Sequence, residues 1–208
     1  MGCNSSKGVS ETSKSAGGRT KVGEHLASPE DLVSWPEFPT GTKSLVCKYL
    51  TKDIWNKYHD KSDKSGVSFK TCVFSGCKNI DSGIGCYAGS ADSYTTFSDF
   101  FDKIVQDYHK HGPKDKHVSC MDASLLNISP FTEEEAALVK STRIRVGRNL
   151  ADYPLGPGIT DAQRDEIMAK VVEACGKFTG ELAGTFYSLD SMSAEQQQQL
   201  IDDHFLFK

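Results

Sequence analysis

The sequence predicts an α+β fold: a small all-α domain, then a second domain in which helices and strands mix. Three observations carry this expectation. Apolar residues recur at helical spacing through Phe97, Phe100, Phe101, Ile104, Val105 and Tyr108, with Asp99, Asp102, Lys103 and Asp107 on the opposite side. Ser or Thr precedes most of the apolar stripes, where a hydroxyl can accept from the orphan amides of a first helical turn. Beyond residue 140 the period changes to two, as β-branched Thr142, Ile144 and Val146 alternate with Arg143 and Arg145.

The 208 residues allow one large domain or two small ones, and 38% hydrophobic with 25% charged residues is an ordinary globular balance. A net charge of −4 leaves no basic excess for phosphate backbones, so nucleic-acid binding is not expected. No apolar run approaches the roughly 18 residues of a membrane span, and the N-terminus lacks a secretory apolar core. A cytoplasmic location is expected. The seven cysteines (Cys3, Cys47, Cys72, Cys77, Cys86, Cys120 and Cys175) are irregularly spaced with no CxxC pair, which argues against a disulfide framework or a zinc ribbon.

Residues 1–27 are expected to form a disordered, acylated tether. They are rich in Ser, Gly and Lys and poor in large apolar side chains. Removal of Met1 from the opening MGCNSSK would expose Gly2 for myristoylation, with Ser6 at the position that pattern wants and Cys3 available for palmitoylation. Two acyl groups are required because one myristoyl chain supplies only about 10⁴ M⁻¹ of membrane affinity. Lys7, Lys14, Arg19 and Lys21 add weak attraction to an anionic leaflet. The membrane expected is the inner face of a plasma or ciliary/flagellar membrane; an unmodified tail is the alternative.

Residues 28–110 carry the helical domain. Ser28, Pro29, Glu30 and Asp31 read as a helix start, soon stopped by Pro36 and Pro39. Short helices follow over 43–49 and 51–58, the second capped by Thr51 with Ile54, Trp55 and Tyr58 on one stripe. Ser68 starts a third helix with Phe69, Cys72 and Val73 facing inward. Between this helix and the aromatic stripe lies a loop over 81–89 with glycines at 83, 85 and 89. Such a loop can be a plain surface turn, or its successive amides can form a nest for an anion such as a carboxylate. Residues 111–131 read as a polar linker. Its neighbours His109, His111, His117 and Cys120 fit no common zinc spacing, and no metal site is expected.

Residues 132–208 open the second domain. Capping boxes stand at Thr132 with Glu135, Thr160 with Gln163, and Ser193 with Gln196. The helix after Thr160 should turn Ile167, Met168, Val171, Val172 and Cys175 inward, and 181–189 reads as a second strand. Three of the chain's five arginines fall within 141–148. On a strand Arg143 and Arg145 share a face about 7 Å apart. Two guanidinium forks at that distance suit a polyphosphate, although a solvated edge strand is the alternative. Arg148 has the other parity and is expected in a structural salt bridge. Residues 205–208 stop inside an apolar run with no helix stop, and two strands alone are marginal, so a C-terminal truncation is expected.

Three segments, SGIGCY at 82–87, STRIR at 141–145 and DDHFLF at 202–207, together with KSLVCKYL and DYHK, resemble the phosphagen (ATP:guanido) kinase family, and within it the arginine kinases. The resemblance implies that 28–110 is the small all-α N-terminal guanidino-substrate domain and 132–208 the incomplete first part of the larger C-terminal catalytic, ATP-binding domain, which has an antiparallel sheet flanked by helices. It implies reversible transfer of the ATP γ-phosphoryl group to L-arginine, giving phosphoarginine and ADP. Ser82, Gly83, Ile84, Gly85, Cys86 and Tyr87 would hold the arginine carboxylate. Ser141, Thr142, Arg143, Ile144, Arg145 and His204 would hold ATP, with Mg²⁺ carried on the nucleotide phosphates and no protein metal cage. No catalytic residue is assigned, because the family's orienting acids and reactive cysteine belong to later segments, and this chain alone is expected to be inactive. The partners implied are ATP and L-arginine, in a monomer. The alternatives are a kinase for taurocyamine or another guanidine, and a membrane-tethered, non-catalytic binding protein of the same fold.

Overall fold

The computed structural model describes residues 18–206 apart from Asn127. They form two compact units, divided between Ile159 and Thr160. Gly2 and Cys3 lie outside the described residues.

The first unit begins earlier than the expected tether allows. Strand β1 (Thr20–Lys21) pairs in parallel with β2 (Pro36–Glu37), in the register Thr20 to Pro36 and Lys21 to Glu37. Gly23 donates its amide to the Cys77 carbonyl at 2.8 Å, and Leu26 is only 3% exposed. Two apolar side chains, Leu26 and the partly buried Val22, are enough to dock this polar stretch on the core. The helix start at Ser28 yields a single 3₁₀ turn, Pro29–Asp31.

Helices α1 (Leu45–Tyr49), α2 (Lys52–Tyr58) and α3 (Phe69–Lys78) start where the hydroxyls stand: Ser44 accepts from the Cys47 amide, Thr51 from Ile54 and Ser68 from Thr71. Helix α4 (Ser93–Thr96) runs through Phe97 into α5 (Ser98–His109). Phe69, Phe97 and Phe100 have no exposure at all, and the ring pairs Phe69–Phe97 and Phe69–Phe100 pack edge-on at 5.1 and 5.2 Å between centroids. Each such ring stabilises the fold by roughly 1.5–3 kcal/mol through burial, and each edge-on pair adds about 0.5–1.5 kcal/mol. Val46, Leu50, Trp55, Tyr58, Cys72 and Val73 complete the core, and the Trp35 indole donates to the Leu50 carbonyl at 2.9 Å.

Beyond α5 the first unit thins. Helix α6 (Glu133–Leu138) has the expected capping box, yet every described residue from 113 to 152 is exposed. The strand expected over 142–146 is absent, and Ile144 and Val146 are 85% and 81% exposed. Alternation is only half of a strand. The other half is a neighbouring strand to pair with, and among the described residues only β1 and β2 form a sheet. Arg148 donates to the Gly147 carbonyl at 2.7 Å and makes no ion pair among the described residues, so the structural salt bridge expected of it is not seen there.

In the second unit, α7 (Asp161–Cys175) and α8 (Ala194–Asp202) both carry the expected capping boxes. The helix face expected to turn inward is half open: Met168 and Val171 are 49% and 48% exposed. Over 181–189 the chain makes two 3₁₀ turns (Gly180–Leu182 and Leu189–Ser191) and no strand. Both departures have one cause, since an apolar stripe buries itself only against a second layer. A helix stop is present where none was expected. His204 is left-handed (φ 63°) and donates to the Ile201 carbonyl, while Phe205 donates to Leu200, which is a Schellman cap.

Candidate functional site

The glycine loop returns from α3 and is stitched to two helices. The Leu45 and Val46 amides, at the start of α1 where no intrahelical acceptor exists, donate to the Gly83 and Ile84 carbonyls at 3.0 and 2.9 Å. Gly76 of α3 donates to the Gly85 carbonyl at 2.7 Å, and Tyr87 donates to the Cys72 carbonyl at 2.9 Å. This contact needs two glycines. Gly85 has φ +82°, and a Cβ there would lie 2.7 Å from Val46 Cγ1 and 2.9 Å from Gly76 Cα. A Cβ on Gly76 would meet the Gly85 carbonyl oxygen at 2.5 Å.

Three successive loop carbonyls are thus engaged from behind. The Gly83, Ile84 and Gly85 amides have no acceptor among the described residues. Gly83, Ile84 and Gly85 line an open cleft of about 570 Å³ with Leu45, Ser82, Tyr87, Asp107 and Tyr108. Successive amides without an acceptor, in a loop beside a cleft, can serve as a nest for an anion.

The one carboxylate in the cleft is already committed. Asp107 accepts from Lys48 Nζ at 2.7 Å and from the Tyr49 hydroxyl at 2.9 Å, which pushes its carboxyl down to about 2. Its charge ties α5 to α1 instead of cancelling the field of the amides. Tyr87 and Tyr108 stand at the rim, 59% and 57% exposed. Cys86 packs inward, and burial pushes its thiol up to about 12, as it does for Cys77. Neither is a thiolate nucleophile near neutral pH.

Of the candidate residues, Ser82, Gly83, Ile84, Gly85 and Tyr87 thus share one cleft, with Cys86 buried beside it. Ser141, Thr142, Arg143, Ile144 and Arg145 lie in an exposed, irregular stretch of the first unit, and His204 caps α8 in the second. Among the described residues no group of three or more His, Cys, Asp or Glu could hold a metal ion. Leu45, Asp107 and Tyr108 were missed. Tyr108 continues the aromatic stripe and so read as core; its place between Asp107 and His109, on the last turn of α5, was the signal that it faces outward.

Residues 40–106 match the N-terminal domain of the ATP:guanido phosphotransferases. The chain is 44% identical over 173 residues to an arginine kinase of Penaeus vannamei, a match spanning 83% of this chain and 48% of that one. The chain belongs to the phosphagen kinase family. An arginine kinase of Callinectes sapidus is 42% identical over 184 residues, covering 88% of this phosphagen kinase chain and 51% of the relative. The chain therefore spans about half the length of the relatives it matches. Among solved structures, the substrate-free duplicated taurocyamine kinase of Schistosoma mansoni superposes with a TM-score of 0.69 at 35% identity, over 82% of this chain and 24% of that one. A lombricine kinase superposes with a TM-score of 0.65 at 28% identity, over 80% of this chain and 45% of that one. These neighbours support an N-terminal helical domain followed by part of an α/β domain.

Proposed function

We propose that the full-length protein is an arginine kinase, which transfers the γ-phosphoryl group of ATP reversibly to L-arginine and gives phosphoarginine and ADP. The observation that carries this reading is that Gly83, Ile84 and Gly85, whose carbonyls are held by α1 and α3 and whose amides have no acceptor among the described residues, line one cleft. Arginine has a carboxylate for such donors at one end and a guanidinium at the other. Relatives of similar sequence named as arginine kinases agree with this choice.

Phosphoryl transfer depends chiefly on alignment and on cations around the phosphates. In this reading Arg143 and Arg145 grip the ATP phosphates, with Ser141, Thr142 and Ile144 beside them and His204 against the base. Mg²⁺ arrives on the nucleotide. A coupled assay of the full-length protein should show arginine favoured over taurocyamine by about tenfold or more in kcat/KM. Equal or reversed preference would favour the taurocyamine reading, which the Schistosoma mansoni neighbour also supports. Replacing Arg143 or Arg145 with Ala should raise KM for ATP by roughly 10–100-fold, as befits a charged hydrogen bond of about 1.5–3 kcal/mol.

We also propose that acyl groups on Gly2 and Cys3 hold the enzyme at the inner face of a plasma or ciliary/flagellar membrane, beside processes that consume ATP. Mass spectrometry of the mature N-terminus tests this directly, and Gly2→Ala should move the protein to the soluble fraction.

A further inference from the structure

Just past the glycine loop the backbone is held by a buried carboxylate that phosphoryl transfer leaves without a role. Residues 61–69 form a tight reversal: Ser62 and Ser68 make an antiparallel bridge, and Gly66 turns with φ +81°. Asp63, 6% exposed, fills the inside of that reversal. Its Oδ1 accepts from the Ser65 and Val67 amides at 2.9 and 3.0 Å. Its Oδ2 accepts from the Ser90 hydroxyl at 2.7 Å and the Ser93 hydroxyl at 2.5 Å. The Ser93 hydroxyl oxygen in turn accepts from the Gly89 and Ser90 amides, both at 3.1 Å.

Gly89 is where these bonds converge. A Cβ on it would lie 2.1 Å from Val67 Cγ1, so the reversal packs directly against the bare backbone. Its carbonyl accepts from the Leu155 amide at 2.8 Å, which anchors the segment that follows the arginine-rich stretch. Burial alone would raise the Asp63 carboxyl, but the hydrogen bonds from Ser93, Ser90, Val67 and Ser65 outweigh it and hold it below the usual range. A buried carboxylate with every partner satisfied adds little stability over an apolar residue of the same size; its contribution lies in fixing geometry.

We propose that Asp63 is a positioning residue for the guanidino substrate: through Ser90, Ser93 and Gly89 its carboxylate fixes the downstream end of the loop that offers the substrate amides. The proposal rests on the arginine-kinase reading. Helices α1 and α3 hold residues 83–87; the Asp63 clamp holds the exit at 89–90, two residues after Tyr87.

The test uses Asp63→Asn and Ser93→Ala in the full-length protein, with two readouts. Hydrogen exchange at the Gly89 and Ser90 amides should quicken by about tenfold or more in both variants, with α2 unchanged. KM for arginine should rise about fivefold or more, while kcat and KM for ATP stay within about twofold. A purely structural residue would lower the melting temperature and leave the KM of the folded enzyme unmoved. Unchanged exchange at Gly89 and Ser90 overturns the clamp, and faster exchange with unchanged KM for arginine overturns the positioning role. If the unmodified protein phosphorylates no guanidine, the functional reading fails and the positioning role with it, while exchange still decides the clamp. Should Asp63→Asn fail to fold, Ser93→Ala carries both readouts, since it leaves Asp63 three of its four donors.

Discussion

Phe97 and Phe186 carry the same ring, yet Phe97 is wholly buried in the first unit and Phe186 is 55% exposed in the second. The local instructions around them are of equal quality. Hydroxyl caps begin α1 to α3, and full capping boxes begin α7 and α8. What differs is the second layer. In the first unit α1, α3 and α5 face one another and close over the aromatic rings. In the second, Phe178, Leu182 and Phe186 share a hollow with Val171 and Val172, and no described residue of that unit is buried. Capping decides where a helix starts, whereas burial decides how firmly it stays.

Both tryptophans, Trp35 and Trp55, lie in the first unit, so their fluorescence reports on it alone while far-ultraviolet circular dichroism reports on both. The largest contrast should come from ring deletion. Phe97→Ala should lower first-unit stability by about 3–5 kcal/mol in denaturant titrations followed by fluorescence, and Phe186→Ala should shift that transition by less than about 0.5 kcal/mol. Matching shifts would show that the two units share one core. Within the loop, Gly85→Ala meets both a positive φ and Val46, and should cost about 2 kcal/mol or more. Gly83→Ala meets open space and should be close to neutral by the same measurement.

Acid should separate the units by cause. Asp63 sits below its ordinary range, and Asp92 and Asp107 are lowered to about 2, all in the first unit. A depressed carboxyl contributes stability above its unfolded value near 4, and that contribution is lost as pH falls through the folded value. Fluorescence-detected stability should therefore be level down to about pH 4 and then fall toward about pH 2. Asp107→Asn should flatten that fall; an equally steep fall in the variant would remove Asp107 as a cause. The smallest effect belongs to the last cap. His204→Gly should stabilise α8 by up to about 1 kcal/mol, read from circular dichroism, because glycine adopts the left-handed turn without strain.

Most helix starts were legible because a cap is a short-range event: Thr51, Ser68, Thr132, Thr160 and Ser193 each act within three residues, whereas α1 was expected from Lys43 and starts after its Ser44 cap. The glycine loop was legible as a loop. An anion nest was legible there as one of two readings, but not what would hold its carbonyls, since that depends on Leu45 and Val46 nearly 40 residues earlier in the chain. The strand expected at 142–146 and the inward face expected for α7 failed for a related reason, as pattern says what an element could bury and is silent on what meets it. The residues after Gly18 read as tail because composition averages hide Val22 and Leu26. Asp63 gave no signal at all: in the string KSDKSG it looks like any charged turn residue.

The stitching of Gly83 and Ile84 to the first amides of α1 has a consequence for assembly. The loop's carbonyls are held by bonds that exist only after α1 and α3 have docked, so its folded geometry has no half-made form. A nascent or partly unfolded chain would expose the same glycines with their amides scattered among solvent directions, blind to free amino acid. If the proposed arginine-kinase reading holds, recognition by this loop comes late in folding, and arginine added during refolding should leave the folding rate untouched while slowing only the reverse step.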